Sequence, residues 1–309
     1  ALHIGVFRPV SDVFRELEFR TLAQRLLGEE IAGVKEVAAE KEKIQKKVAN
    51  SGQGDLFEES VEVAVAEEAE EKPKDLKTAA NTPHHYILCD TAGKRKDLIS
   101  LLGTHAQFCY DSETTSLDTR EAEIVGMSFA VKACEGYYIP FPADQKEAQK
   151  IAEEFRALFE DTNKTLIGQN IKYDLEVLKN YNIEIKNKMF DTMVAHFLIQ
   201  PEGRHNMNVL AEQYLNYAPI QIETLIGKGK NQGSMRDAEI EAIKEYAAED
   251  ADITLQLEKI FAPQLKENKV EKLFSEVEIP LINVLAAMEG EGIKIDTNVL
   301  GEYSILLEK

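Results

Sequence analysis

Two acids one residue apart, at the end of an apolar run, constrain this chain more than any other feature. The run is Phe108-Cys109-Tyr110-Asp111-Ser112-Glu113, and it continues through Thr114-Thr115-Ser116-Leu117-Asp118. Its apolar start predicts a strand, and residues i and i+2 of a strand point to the same side. The carboxylates of Asp111 and Glu113 therefore project together. Two such anions ~4 Å apart repel by roughly 4 kcal/mol at an effective dielectric near 20. A chain that places them at the end of a buried strand either protonates one or binds a cation, and hard divalent ions prefer oxygen ligands. Asp-x-Glu by itself is common, and a strand ending in a polar turn explains it equally well. The metal reading needs further acids from elsewhere.

Two such acids occupy positions where a solvated residue does not belong. In Gly168-Gln169-Asn170-Ile171-Lys172-Tyr173-Asp174 a helix is expected to start, with Asn170 as its cap. Asp174 then lies three residues after Ile171 and four before Leu178, on the apolar stripe. A buried acid capping a neighbour is the structural alternative. In Tyr246-Ala247-Ala248-Glu249-Asp250-Ala251-Asp252, Asp250 shares a face with Tyr246, Ala247, Ile253, Thr254 and Leu257. Glu249 and Asp252 fall on other faces and are expected to be solvated. Burying Asp111, Glu113, Asp174 and Asp250 together without cations is unfavourable by many kcal/mol. A shared pair of divalent ions removes the difficulty, and two metals ~3.5–4 Å apart are the clamp used for in-line phosphodiester displacement.

Charge limits the partners. Lys+Arg number 36 against 55 Asp+Glu, a formal charge of −19 in 309 residues, which argues against a surface that grips duplex DNA broadly. A narrow site whose positive charge comes from bound metal remains open. Cys89, Cys109 and Cys134 are odd in number and far apart, so they make no zinc pattern and suit a reducing compartment. No apolar run approaches membrane-spanning length and no signal-peptide pattern opens the chain. A soluble, cytoplasmic protein with no membrane partner is expected.

Four segments follow from the pattern. Residues 1–33 contain one amphipathic helix, over 13–27, with nothing before it to complete a core. Residues 34–83 read as a flexible acidic linker, because 55–71 carry eight acids and no base. Residues 84–276 are globular. Strands are expected at 85–89, 108–113, 123–131, 136–141, 165–168 and 189–191, with helices at 95–102, 146–161, 171–181 and 192–199 and a long helical stretch over 238–266 that Pro263 interrupts. The early strands connect as antiparallel hairpins, and the later ones alternate with helices, implying an α/β sheet of mixed pairing. The basic loop Gly227-Lys228-Gly229-Lys230-Asn231-Gln232-Gly233 does not match the phosphate-binding pattern and reads as a surface loop. Asp191 is expected to cap the helix at Thr192, Thr114 and Thr115 to close a turn, and His205 to serve in polar packing. Residues 277–309 begin a further helical segment.

Taken in order, Asp111-x-Glu113, Asn170-x-x-x-Asp174 and Tyr246-x-x-x-Asp250 resemble the three motifs of the D-E-D-D exonucleases with a tyrosine. Agreement extends to Ser116-Leu117-Asp118, Asp191-Thr192-Met193, Arg204-His205 and the run from Ala247 to Leu257. The chain is thereby similar to the 3′–5′ proofreading exonuclease domain of bacterial family A DNA polymerases. The resemblance implies an RNase H-like five-stranded mixed sheet flanked by helices. It implies two divalent ions, Mg or Mn, held by Asp111, Glu113, Asp174 and Asp250, with Tyr246 and Glu113 orienting the attacking water. It implies that Leu117 wedges against the terminal base of a single-stranded or frayed 3′ DNA end, and that Asn170, Tyr173 and Arg204 touch the strand. Ile222 departs from the family, standing where an aromatic can stack on a base. The flanks resemble the tail of a 5′-nuclease domain (1–33) and the start of a truncated polymerase domain (277–309), so a monomeric fragment is expected, partnered by the polymerase domain of the same longer chain. RNA 3′-end trimming by the same superfamily, and a non-catalytic supporting domain, are the alternatives.

Overall fold

The computed structural model describes residues 76–229 and 232–308. The helix expected over 13–27 and the acidic stretch up to residue 75 lie outside the described residues. Six strands form one mixed sheet: β1 (His85–Leu88), β2 (Gln107–Thr114), β3 (Ile124–Lys132), β4 (Glu135–Pro140), β5 (Thr165–Gly168) and β6 (Lys188–Asp191). Their order is β1-β4-β3-β2-β5-β6. The pairs β2–β3 and β3–β4 are antiparallel, as short polar connections require, while β2–β5 and β5–β6 are parallel. Strands β2 to β6 supply the five expected of the family. The sixth is β1, which adds in parallel to the edge at β4.

Alternation along β2 sorts the molecule into two layers. Phe108 and Tyr110 face a core with Phe129 of β3 and with Phe155 and Phe159 of α2 (Gln145–Phe159). On the same side lies α3 (Ile171–Asn180), whose Ile171, Val177 and Leu178 join that core. Before both comes α1 (Ala92–Thr104), and between β6 and the following loops comes α4 (Thr192–Ile199). Cys109 faces the opposite way, with Ala130 and Ile167, against Ala251 and Leu255 of α5 (Ile240–Glu267). Small side chains let α5 lie close to the sheet: a Cβ on Gly136 of β4 would come within 2.7 Å of the Ala248 carbonyl.

Three local expectations are corrected. Pro263 does not interrupt α5, which runs through it; the proline sits on the exposed side, where water can serve the released carbonyl, while Phe261 and Leu265 hold the inner side. Glu249 and Asp252 are not solvated. Tyr217 Oη and the Ile220 amide donate to Glu249 at 2.5 and 2.6 Å, and Tyr86 Oη and the Cys134 amide donate to Asp252 at 3.0 and 2.8 Å. The sheet, the segment near 217–220 and β1 cover α5 on several faces, so few of its faces are left for water. Asn170 occupies the position before α3 but its side chain caps nothing. Its backbone is left-handed (φ 61°), and Asp191 caps instead, accepting from the Ile171 amide at 2.7 Å.

Asp191 also caps α4 as expected, through the Met193 and Val194 amides. Residues 76–83, at the end of the expected linker, are paired: the Lys77 amide donates to Asn216 O at 2.9 Å. After α5 come α6 (Ile279–Glu291) and α7 (Thr297–Leu307). Ile279 and Ile282 pack with Phe274 and Leu265, and Lys172 Nζ meets Glu289 at 2.5 Å, so α6 rests on α3. Among the described residues no helix is long and apolar enough to cross a membrane.

Candidate active site

Strand β5 ends at Gly168, alongside β2 near Cys109, so β2 runs on past its parallel neighbour. The gap beyond is where α3 begins. A Cβ on Gly168 would meet Ile171 Cγ1 at 2.6 Å, so the tight turn into α3 needs a residue without one. The free end of β2 carries Asp111, Ser112 and Glu113. Asp111 and Glu113 share the side of Cys109, which is the side of α5, and there Asp250 meets them. Carboxylate oxygens of Asp111, Glu113 and Asp250 all lie within 4.8 Å of one another. Asp174 approaches from the other layer and is not in that close group. It is 3% exposed and accepts a 2.6 Å hydrogen bond from Ser112 Oγ.

Such crowding shows in the acidities. Desolvation by the surrounding protein pushes Asp111 up to about 7. Burial, and then the charge of Asp111, raise Glu113, Asp174 and Asp250 well above the ordinary carboxylate range. Tyr246 stands one turn before Asp250 on α5; burial first, then Asp250, Glu113 and Asp111, push its phenol up. Among the described residues no lysine or arginine pairs with these four acids. An all-oxygen donor set with excess negative charge is the chemistry of a hard divalent cation site.

A cleft of about 520 Å³ is lined by Asp111, Glu113 and Asp174, with Asp250 and Tyr246 outside the lining. The rest of its lining comes from the β2 end with Leu117, from Gln169, Asn170 and Tyr173, and from Ile222, Ile226 and Met235. Leu117 is 85% exposed at the rim. Tyr173 donates to Ser116 O at 2.6 Å and also contacts Thr114, so its hydroxyl closes the turn and its ring lines the cleft. Thr115 pairs with Glu123, closing the turn as expected. Arg204 is exposed and lies outside the cleft lining; its neighbour His205 offers a carbonyl to Gln169 Nε2 at 2.8 Å. His205 packs in a polar cluster, 2.7 Å from His196 Nδ1 to Nδ1. A larger hollow of about 680 Å³ lies between α3, residues 182–187 and α6, and gathers no converging acids.

Sequence reasoning missed Ser112 and Glu249. The period-two alternation already put Ser112 on the side of Tyr110, toward α3. Glu249 anchors the segment that leads to Ile222, and no local spacing announces that contact.

Asp111 and Glu113 from a central strand and Asp250 from α5, gathered at the end of β2 with Asp174 bonded beside them, are the donor set that a hydrolase of the divalent-metal-dependent nuclease class requires. Residues 86–266, over half of the chain, match the family model described as 3′–5′ exonuclease, and the chain belongs to that family. It is 38% identical over 229 residues to DNA polymerase I of Borreliella burgdorferi, covering 73% of this chain and 25% of that protein. It is 36% identical over 205 residues to DNA polymerase I of Pseudomonas aeruginosa, covering 63% and 22%. The chain thus spans about a quarter of the length of these relatives. A structure of Brucella melitensis NrnC with bound Mg2+ matches with a TM-score of 0.54 at 17% identity, over 68% of this chain and 95% of that one. That likeness is one of fold, which is RNase H-like.

Proposed function

We propose that this chain removes nucleotides from the 3′ end of a DNA strand and releases nucleoside 5′-monophosphates. The observation that carries the reading is the convergence of Asp111, Glu113 and Asp250 within 4.8 Å. Asp111, Glu113 and Asp250 would hold one ion, and Asp111 with Asp174 a second, each Mg2+ or Mn2+. When bound, such a pair polarises the phosphoryl group and offsets charge on the attacking and leaving oxygens. Tyr246 and Glu113 orient the attacking water. Leu117, projecting at the rim, wedges against the terminal base. Asn170 and the ring of Tyr173 hold the last nucleotides, and Arg204, outside the cleft, meets the strand further from its end. A frayed or single strand suits a chain of charge −19 better than a duplex does.

DNA is favoured over RNA because the relatives named above are DNA polymerases. On that reading, 84–276 is the exonuclease domain, 277–309 leads into a polymerase domain, 34–83 is a linker and 1–33 the tail of a 5′-nuclease domain. The polymerase domain of the longer chain is then its partner, and the setting is a monomeric protein in a reducing cytoplasm, which suits the three unpaired cysteines. The test uses 5′-labelled single strands of matched DNA and RNA sequence, with Mg2+ or a chelator. Shortening of DNA from the 3′ end that needs Mg2+ and disappears in a folded Asp174→Ala variant is expected. Undiminished hydrolysis by that variant rejects the reading, and faster RNA loss replaces the substrate.

A further inference from the structure

Three of the four acids reach the cluster from one layer, and the fourth must come from the other. Cys109, Asp111 and Glu113 share the α5 side of β2, whereas Tyr110 and Ser112 face the layer that holds α3. Asp174 projects from α3, so its carboxylate meets the strand on the far side from Asp250. Something has to fix it at the strand end where Asp111 can share an ion with it. Ser112 Oγ does so, donating to Asp174 Oδ1 at 2.6 Å, and it is the only side-chain donor to Asp174 among the described residues. The next bond along is Tyr173 Oη to Ser116 O at 2.6 Å. Adjacent residues of α3 are thus tied to β2 and to the turn that follows it.

We infer that Ser112 is a positioning residue that sets the affinity of one ion of the pair and not the other. The inference rests on the two-ion reading above. Occupying Oδ1 with a neutral donor fixes the carboxylate plane and leaves Oδ2 as the free ligand atom. A hydroxyl does this without adding charge, which a lysine or arginine at the same place would do at the expense of the cation. Asp111, Glu113 and Asp250 do not depend on Ser112, because they are gathered by β2 alternation and by α5. Removing the hydroxyl therefore loosens Asp174 alone. Partners that orient metal ligands typically matter by about 10–100-fold in affinity.

The experiment is a Mn2+ titration of the whole chain by calorimetry, with bound Mn2+ counted by electron paramagnetic resonance. Wild type is expected to bind two ions. Ser112→Ala should weaken the looser ion by about 10–100-fold and leave the tighter one unchanged. Ser112→Thr, which keeps the hydroxyl, should restore both, and Ser112→Cys, a weak donor of similar size, should fall between. Asp174→Asn marks which ion is the affected one. Equal weakening of both ions, or of neither, in a wild type that binds two overturns the role of Ser112 alone. A wild type that binds fewer than two ions overturns the two-ion reading and this inference with it.

Discussion

Asp111→Asn should make the metal-free protein more stable, and by an amount that depends on pH. Asp111 is pushed up to about 7 by desolvation, with Glu113 and Asp250 close by. An ordinary aspartate titrates near 4, so the difference is about 3 pH units, or about 4 kcal/mol at about 1.36 kcal/mol per unit. The direction follows from linkage. The folded pKa is raised, so the folded state binds the proton more tightly. Its stability is fully present below about pH 4 and is lost as pH rises through about 7. Neutral asparagine escapes that loss, giving a gain of about 1.5 kcal/mol near pH 5 and about 4 kcal/mol near pH 8. For a domain of this size the latter is on the order of 10 °C in Tm. Thermal melts in chelator at both pH values measure it. Saturating Mg2+ should narrow the gap at pH 8 to on the order of 1 kcal/mol, stabilising wild type by about 2.7 kcal/mol at roughly 100 times Kd and the variant far less. An Asp111→Asn variant that melts below wild type in chelator at pH 8, or that differs from it equally at both pH values, would refute the desolvation argument.

Two further outcomes are expected. Ile222→Phe should tighten single-strand binding about tenfold, since Ile222 is 37% exposed on the cleft wall and base stacking on an aromatic ring is worth ~1–3 kcal/mol; fluorescence anisotropy with a labelled oligonucleotide and the chelated protein reads it. Asp191→Ala should lower stability by about 2–4 kcal/mol, because one carboxylate caps both α3 and α4; denaturant melts check it, and Asp191→Asn should recover part of the loss.

Where a local pattern decides a residue's surroundings, the sequence was readable. The alternation in β2 placed Asp111 and Glu113 together, and the helical stripe placed Asp174 inside. The failures share a cause, which is contact between segments distant along the chain. Asn170 has the chemistry of a cap and the right position, but a left-handed backbone turns it away and Asp191, on β6, supplies the bond. Glu249 and Asp252 look solvated on any helical wheel that assumes one buried face. On α5, Tyr217, Ile220, Tyr86 and Cys134 supply donors from other segments.

Burial of Glu249 has a consequence for the cleft itself. Consecutive residues of a helix point about 100° apart, so Asp250 can join the acid cluster while Glu249 grips the segment at 217–220. That segment leads within two residues to Ile222, which lines the cleft together with Asp111, Glu113 and Asp174. One helix therefore bears on both the acid cluster and the segment before Ile222, through Asp250 on one face and the bonds of Glu249 to Tyr217 and Ile220 on another.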